Sequence, residues 1–160
     1  MTAPNAADAT ANEHPILNLE HFLPYRLSVL SNRVSADIAR FYQNRFGLSV
    51  TEWRAMAVLG RFPGISAMEV AERTAMDKVA VSRAVNALLG RELLTRAFHE
   101  SDRRRSMLRL SESGRQVYDE IVPLALRLEA SLLDAFSDDE KQQLGRLLDK
   151  LDAAEMKAHG

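Results

Sequence analysis

Three consecutive arginines, Arg103, Arg104 and Arg105, follow Asp102 in a short polar stretch near the middle of the chain. Guanidinium groups bind phosphate oxygens and also enter narrow minor grooves, where the negative potential is enhanced. Phosphates would repel the carboxylate of Asp102, so it suits a brace that orients an arginine through a charge-assisted hydrogen bond. A solvated surface loop is the alternative for such a charge run. Double-stranded DNA is therefore the first candidate partner.

A second group of donor side chains lies upstream, on a predicted helix with Asp77 as its N-cap and its end near Gly90. Apolar residues recur along this helix at helical spacing, which predicts one buried face. The donors that lie away from that face suit phosphates and base edges. They are Lys78, Ser82, Arg83 and Asn86. A helix pair with a solvated polar face would show the same pattern, so this segment by itself leaves both interpretations open.

The formal net charge of −1 over 160 residues conceals an asymmetry along the chain. Residues 61–115 hold eleven basic and seven acidic side chains, whereas residues 116–160 hold five basic and ten acidic ones. The charges of the first 60 residues balance. A basic centre predicts an anionic partner for the middle of the chain and a different role for its ends.

Composition narrows the class of protein. The chain is 46% hydrophobic and 27% charged, which is typical of a globular protein, and its length suits one domain. It has no cysteine, which excludes disulfides, thiol nucleophiles and cysteine-ligated zinc. There is no run of about 18 apolar residues that would span a membrane. No secretory signal is visible at the N-terminus, so we expect a cytoplasmic protein.

Spacing and capping residues predict the elements before the donor groups. We expect a long helix over residues 18–45 that ends at Gly47. A second helix should run to Arg61, with Ser49 or Thr51 as its cap. A capping box at residues 66–69 should begin a short helix. With the helix after Asp77, this order predicts a helix-turn-helix.

After the donor helix, two short strands are predicted over residues 93–97 and 107–110, joined by a polar hairpin tip at residues 99–105. A long helix over residues 111–136 and a last helix beginning at Ser137 should follow. The last helix carries a leucine stripe that has no obvious partner within one chain. A hairpin after a helix-turn-helix predicts a winged helix.

The expected fold is therefore mainly α with a small β-hairpin, a winged helix-turn-helix whose N- and C-terminal helices form a homodimer interface. Residues 1–17 should be a flexible tail. Residues 18–47 and 111–160 should form the helical dimerisation region, and residues 48–110 the DNA-binding domain.

Two segments resemble the MarR family of bacterial transcriptional regulators. LLGRELLTR over residues 88–96 is followed by SDRRRSMLRLSESG over residues 101–114. This is similar to the family's wing signature, which has a helix end, a strand, a D-x-R tip and a strand closing on L-[ST]-x-x-G. Residues 48–60 and 77–89 also resemble family segments in the same order, so the resemblance covers about residues 20–155.

The resemblance implies a homodimer that binds palindromic operators, often as a repressor released by a small ligand. Asp102 and Arg104 match the D-x-R pair. The resemblance therefore implies that Asp102 braces the wing and that Arg104 enters the minor groove. Arg105 stands where many members carry a small residue, which leaves open which arginine enters the groove. The exposed part of the recognition helix is matched by Lys78, Ala80, Val81, Ser82, Arg83 and Asn86.

An effector pocket is the further implication of the resemblance, between the dimer helices and the winged helix. Its candidates are His21, Tyr25, Arg26, Trp53 and Arg54. A guanidinium beside aromatic rings suits an aromatic carboxylate or its CoA thioester. Aromatic residues at helical spacing are also common in cores, and exposed arginines are commonly solvated or in ion pairs.

Two other classes of function are weaker. The chain has no glycine-rich phosphate loop, no G-x-S-x-G elbow and no H-E-x-x-H helix, so we expect neither an enzyme nor a cofactor or metal site. A dimeric helical adaptor that binds another protein instead of DNA would account for the leucine stripe and the acidic C-terminal third. It would not account for three consecutive arginines on a hairpin.

Overall fold

The computed structural model describes residues 15–99 and 102–154, with the backbone alone for residues 99 and 102–105. Six helices and one hairpin follow each other in the predicted order within these ranges. They are α1 (Leu23–Phe46), α2 (Val50–Arg61), α3 (Ala67–Thr74), α4 (Lys78–Gly90), β1 (Leu94–His99), β2 (Asp102–Leu110), α5 (Glu112–Leu133) and α6 (Asp138–Asp152). The predicted fold class, mainly α with a small hairpin in a winged helix-turn-helix, is confirmed.

Side-chain caps fix where most of these helices begin. Ser49, Ser66 and Ser137 each accept a hydrogen bond from the third residue of the following helix, and a glutamate there bonds back to the cap backbone. Such capping boxes satisfy N–H groups that have no partner within the helix. Asp77 caps α4 through Ala80 N at 2.9 Å. The structure thus selects Ser49 over Thr51 as the cap of α2.

Helix α1 begins at Leu23, five residues later than predicted. Residues 19–21 form a turn instead, and Pro24 lies in the first helical turn, where its missing N–H costs no hydrogen bond. The helix ends as predicted at Gly47, whose φ of 61° is the left-handed conformation that favours glycine.

Contacts divide the described chain into two compact units, one up to Val34 and one from Ser35 onward. The core of the second unit joins α2, α3 and α4 with the wing and the first half of α5. Its fully buried large side chains are Tyr42, Leu48, Met56, Leu59, Val70, Val81, Val85, Leu88, Leu108 and Ile121. This single cluster fixes the orientation of α4, because α4 contributes three of its members.

The hairpin is longer than predicted. β1 and β2 pair antiparallel from Leu94 opposite Leu110 to Phe98 opposite Ser106, and the next pair is His99 opposite Asp102. Residues 103–105 are therefore extra on β2 and have no partner on β1, so the register shifts there. The arginines expected in a turn lie within a bulged strand instead. The alternation of apolar residues ends near Met107, so the sequence pattern could not indicate the extension.

A tight turn forms the base of the wing. Glu92 has a φ of 56°, and the hydroxyls of Ser111 and Ser113 both donate to its carbonyl oxygen, at 2.6 and 2.8 Å. Ser111 N donates to the Leu93 carbonyl at 3.1 Å. A Cβ on Gly114 would overlap the same Leu93 carbonyl oxygen. The L-[ST]-x-x-G segment therefore closes β2 against the end of α4.

Among the described residues, no helix is both long enough and apolar enough to cross a membrane.

Candidate nucleic-acid interface

The connection between α3 and α4 sets the geometry of the helix-turn-helix. Ala75 adopts a left-handed φ of 51° and its N–H bonds back to α3. The hydroxyl of Thr74 donates to the Val70 carbonyl at 2.7 Å, and Met76 N donates to the Ala71 carbonyl at 3.2 Å. With Asp77 capping α4, every residue of this short turn helps to fix the start of the next helix.

Helix α4 has one buried and one exposed face. Val81, Ala84, Val85 and Leu88 are buried, whereas the opposite face is exposed to solvent. The exposed residues in its first three turns are Lys78, Val79, Ser82, Arg83, Asn86 and Ala87. Four of the predicted contact residues are therefore accessible and lie on one surface.

Two residues taken from the family pattern are placed differently. Val81 is 0% exposed and packs in the core, so its side chain cannot touch DNA, and that part of the prediction is wrong. Ala80 is half-buried. The physical reason is the helical repeat, because Val81 lies one turn before Val85 and Leu88 on the core face. The family resemblance included Val81 among the exposed residues. Its helical spacing from Val85 and Leu88 instead predicts a place on the apolar, buried face.

Val79 is the exposed large hydrophobic residue of α4 that the sequence analysis did not predict as a contact. It is 57% exposed although it is apolar. The predicted contact residues were chosen mainly as hydrogen-bond donors, and the valine side chain has no donor. The signal was present in the spacing, because Val79 stands three, four and seven residues before Ser82, Arg83 and Asn86.

The backbone of the wing carries Asp102, Arg103, Arg104 and Arg105 at the far end of β2. Their side chains lie outside the described part of the structure, so the brace and the minor-groove contact stay predictions. The near end of the wing is fixed. Ile65 pairs with Leu108 in an isolated bridge, with Gly64 N donating to the Leu108 carbonyl at 2.8 Å.

One further arginine links the end of α1 to the end of α4. The guanidinium of Arg91 donates to the Gly47 carbonyl at 3.2 Å and to the Phe46 carbonyl. These carbonyls have no partner within α1, so a cation is favourable there. Arg91 lies within the segment that resembles the wing signature, and the resemblance implies no role for it. Nothing in the sequence links it to residues more than forty positions away.

The predicted effector residues divide between the two compact units. His21, Tyr25 and Arg26 are exposed in the first, where the His21 ring bonds the Asn18 side chain at 3.1 Å. Trp53 and Arg54 are half-buried in the second. A pocket formed by all five stays a prediction.

The ring of Trp53 lies between two tyrosines. Its centroid is 5.8 Å from that of Tyr42 and 5.9 Å from that of Tyr118, and the Arg115 guanidinium lies over the Tyr118 ring. Burial raises the pKa of Tyr42 above its ordinary value, and the positive charge of Arg54 partly opposes that rise. This part of the second unit thus combines three neighbouring aromatic rings with two guanidinium groups.

Among the side chains that the structure describes, no three from His, Asp or Glu converge to hold a metal ion. The features that do converge are a capped helix with an exposed donor face, a tight turn before it and a hairpin after it. These define a winged helix-turn-helix, the DNA-binding domain of many transcriptional regulators.

Comparisons with known proteins agree with that class. The model of the MarR family matches residues 46–105. The HTH-type transcriptional regulator BilQ of Clostridium symbiosum (strain WAL-14163) is 30% identical over 105 residues, which is 66% of this chain and 73% of BilQ. The chain belongs to the MarR family and is a DNA-binding transcriptional regulator.

Solved structures share the fold. A MarR/EmrR family regulator from Acinetobacter sp. ADP1 superposes with a TM-score of 0.77 at 30% identity, over 85% of this chain and 96% of that one. BpsR of Bordetella bronchiseptica, whose DNA binding is regulated by 6-hydroxynicotinic acid, gives a TM-score of 0.75 at 22% identity, over 89% of this chain and all of BpsR.

Proposed function

We propose that the protein is a cytoplasmic homodimer that represses transcription by binding a palindromic operator and leaves it when a small effector binds. The observation that carries this proposal is the two-faced α4. Its core face is fully packed, and its opposite face presents Lys78, Ser82, Arg83 and Asn86 to solvent. A fixed helix with free donors is what insertion into the major groove requires.

The wing adds a second DNA contact in this proposal. The bulged end of β2 carries three arginines, and the hairpin is anchored at its base through Glu92, Leu93 and Leu108. These contacts fix the base of the hairpin next to the end of α4. Arg104 enters the minor groove and Asp102 braces it, while Arg103 and Arg105 contact phosphates.

Homodimerisation is proposed from apolar side chains that neither unit buries. In α6, Leu144, Leu147, Leu148 and Leu151 are 39–52% exposed. In the first unit, exposed apolar residues recur at helical spacing, at Leu23, Leu27, Leu30 and Val34. A second copy that covers these faces would give a dimer with two recognition helices, and operator half-sites one turn of DNA apart would require these helices to lie about 34 Å apart.

An aromatic acid, free or as its CoA thioester, is the proposed effector class. BpsR responds to one such acid. In this chain, the half-buried Arg54 carries a guanidinium that can bind a carboxylate, near the aromatic rings of Tyr42 and Trp53. A ligand can lower DNA affinity only by its differential affinity for the free and DNA-bound forms of the dimer.

Fluorescence anisotropy with labelled duplex DNA over a salt series tests the DNA part of the proposal. We expect steep salt dependence, because each phosphate contact releases counterions. Arg104→Ala should reduce the salt slope by about 1 and weaken all sequences similarly. Arg83→Ala should cost about 1–3 kcal/mol on a selected operator if Arg83 contacts a base. An equal loss on every sequence would assign Arg83 to a phosphate.

The matched control is Arg146→Ala, which removes the same charge from exposed α6. It should leave the salt slope unchanged. If Arg146→Ala and Arg104→Ala weaken binding equally, the wing has no special role. If a folded dimer binds no duplex even at low salt, and mass spectrometry finds no bound ligand, the adaptor function replaces the proposal.

Sedimentation velocity tests the dimer. Leu147→Asp should shift the protein to monomer, because it places a charge in the proposed apolar interface. Gln142→Asp adds the same charge on the opposite side of α6 and should leave the dimer intact. A wild-type protein that sediments as a monomer at all concentrations would contradict the proposed assembly.

A further inference from the structure

Val79, the large apolar residue at the start of the exposed α4 surface, has no role in the proposed contacts with DNA. Val79 is the second residue of α4 and is 57% exposed. Ser82, Arg83 and Asn86 follow it at helical spacings of three, four and seven, so all four side chains lie along one stripe. Val79 is the one apolar member of that stripe.

The start of α4 holds this side chain in a defined place. Ala80 N donates to the Asp77 carboxylate at 2.9 Å, and Val81 N donates to the Asp77 carbonyl at 3.0 Å. Val81 is buried, so α4 cannot rotate to bring Val79 into the core without exposing Val81. A β-branched side chain in a helix also has one strongly preferred rotamer. The two methyl groups of Val79 therefore point outward in a fixed direction.

Helix stability does not favour valine at this exposed position. Alanine is the better helix former at an exposed position, and valine there buries little surface. Its neighbours on the stripe are all polar. A surface that faces DNA offers one apolar partner in the major groove, the C5-methyl group of thymine.

We propose that Val79 recognises the C5-methyl group of a thymine in the operator and so determines sequence specificity. This inference rests on the proposed docking of α4 in the major groove. The polar members of the stripe position the helix through phosphates and base edges. Val79 then packs its methyl groups against one base and disfavours cytosine at that position, because cytosine lacks the methyl group.

Uracil substitution isolates the proposed contact. An operator is first selected from a random duplex pool with the wild-type full chain, and each thymine is then replaced by uracil, which removes only the methyl group. At one thymine in each operator half, we expect wild-type affinity to fall about fourfold, the value of one buried methyl-sized group. Val79→Ala should bind the thymine and uracil operators equally.

A second arm adds the methyl group to another base. At the sensitive position, cytosine and 5-methylcytosine paired with guanine differ only in that group. Wild-type protein should prefer 5-methylcytosine by about the same factor of four, and Val79→Ala should show no preference. Met68→Ala is the matched control, because Met68 is equally exposed, at 57%, at the start of α3 and off the α4 stripe. It should keep the uracil penalty.

Two results would overturn the inference while leaving the proposed function intact. One is a uracil penalty that persists unchanged in Val79→Ala, and the other is selective operator binding with no thymine sensitive to methyl removal. Failure of the wild-type protein to select any duplex would overturn the proposed function and this inference with it. Thermal unfolding by circular dichroism confirms that Val79→Ala is folded, which its exposed position and higher helix propensity favour.

Discussion

Helices α4 and α6 have similar lengths, 13 and 15 residues, and both carry apolar side chains at helical spacing. Helix α4 buries Val81, Ala84, Val85 and Leu88 against α2, α3 and the wing. Helix α6 buries none of its residues, and its leucines remain about half exposed. Its acidic first turn and its capping box stabilise the helix locally instead.

Helices α4 and α6 are therefore stabilised in different ways, α4 by packing in the core and α6 by local interactions at its start. The winged helix completes its core internally, and α4 is packed by contacts within that core. Helix α6 has an apolar face that the described chain does not cover, and tertiary packing is the main source of helical stability in proteins. The proposed DNA-binding helix is therefore packed within its own domain, whereas the apolar face of α6 is left for the proposed second copy.

The largest expected effect comes from two glycines, one in each region. Gly114→Ala should lower the free energy of unfolding by about 4 kcal/mol, because its Cβ would overlap the Leu93 carbonyl oxygen. Gly145→Ala in α6 meets nothing within 4 Å and should stabilise the helix by about 0.5–1 kcal/mol. Urea unfolding of both variants measures the contrast. Equal effects would mean that the base of the wing can relax.

The next largest difference between α4 and α6 should be the loss of stability when a leucine is replaced by alanine. Leu88→Ala should cost about 3 kcal/mol at any protein concentration, since it leaves a cavity in the core of the second unit. Leu148→Ala should cost much less at low concentration and more as concentration rises, because association stabilises whatever it buries. Thermal unfolding over a hundredfold concentration range tests this. A concentration-independent cost for Leu148→Ala would contradict the proposed second copy.

Removal of the N-cap residue should lower the free energy of unfolding by about 1 kcal/mol in both α4 and α6. Asp77→Ala removes the acceptor for Ala80 N, and Ser137→Ala removes the acceptor for Glu140 N. Their consequences should differ. Asp77→Ala should also weaken DNA binding in the anisotropy titration, because the start of α4 frays, while Ser137→Ala should leave binding by the intact dimer unchanged. The reverse order of DNA affinities would contradict the assigned roles of α4 and α6.

The smallest effect is a dependence on alkaline pH. Burial raises the pKa of Tyr42 in the folded state above its unfolded value of 10.0, with the Arg54 charge opposing. The folded state therefore keeps its proton more tightly, and the stability from Tyr42 is complete below pH 10 and declines as pH rises above it. Tyr42→Phe should remove this part of the decline in urea midpoints between pH 9 and pH 11. If the urea midpoints of the wild type and Tyr42→Phe fall in parallel over this pH range, Tyr42 does not contribute to the decline.

Most of the fold could be predicted because it depends on local signals. The capping residues Ser66 and Asp77, the glycine that ends α1 and the apolar periods all act within one or two turns of chain. The length of the wing could not be predicted. Residues 102–105 are polar and show no strand alternation, yet they pair or bulge because the anchored hairpin continues beyond the core.

The candidate interface was predictable in part for the same reason. The donors Lys78, Ser82, Arg83 and Asn86 follow from periodicity, and the buried position of Val81 follows from the same period once it takes precedence over motif matching. The contacts of Arg91 with the end of α1 could not be predicted, because they join segments more than forty residues apart.

The sequence by itself determined where most helices start and stop, which face of α4 is apolar, where the positive charge lies and to which family the motifs belong. These properties depend on neighbouring residues. Only the tertiary structure decided which apolar faces are covered, because burial depends on the fit of distant segments. That fit buries Val81, leaves Val79 and the α6 leucines exposed, and closes the base of the wing around Gly114.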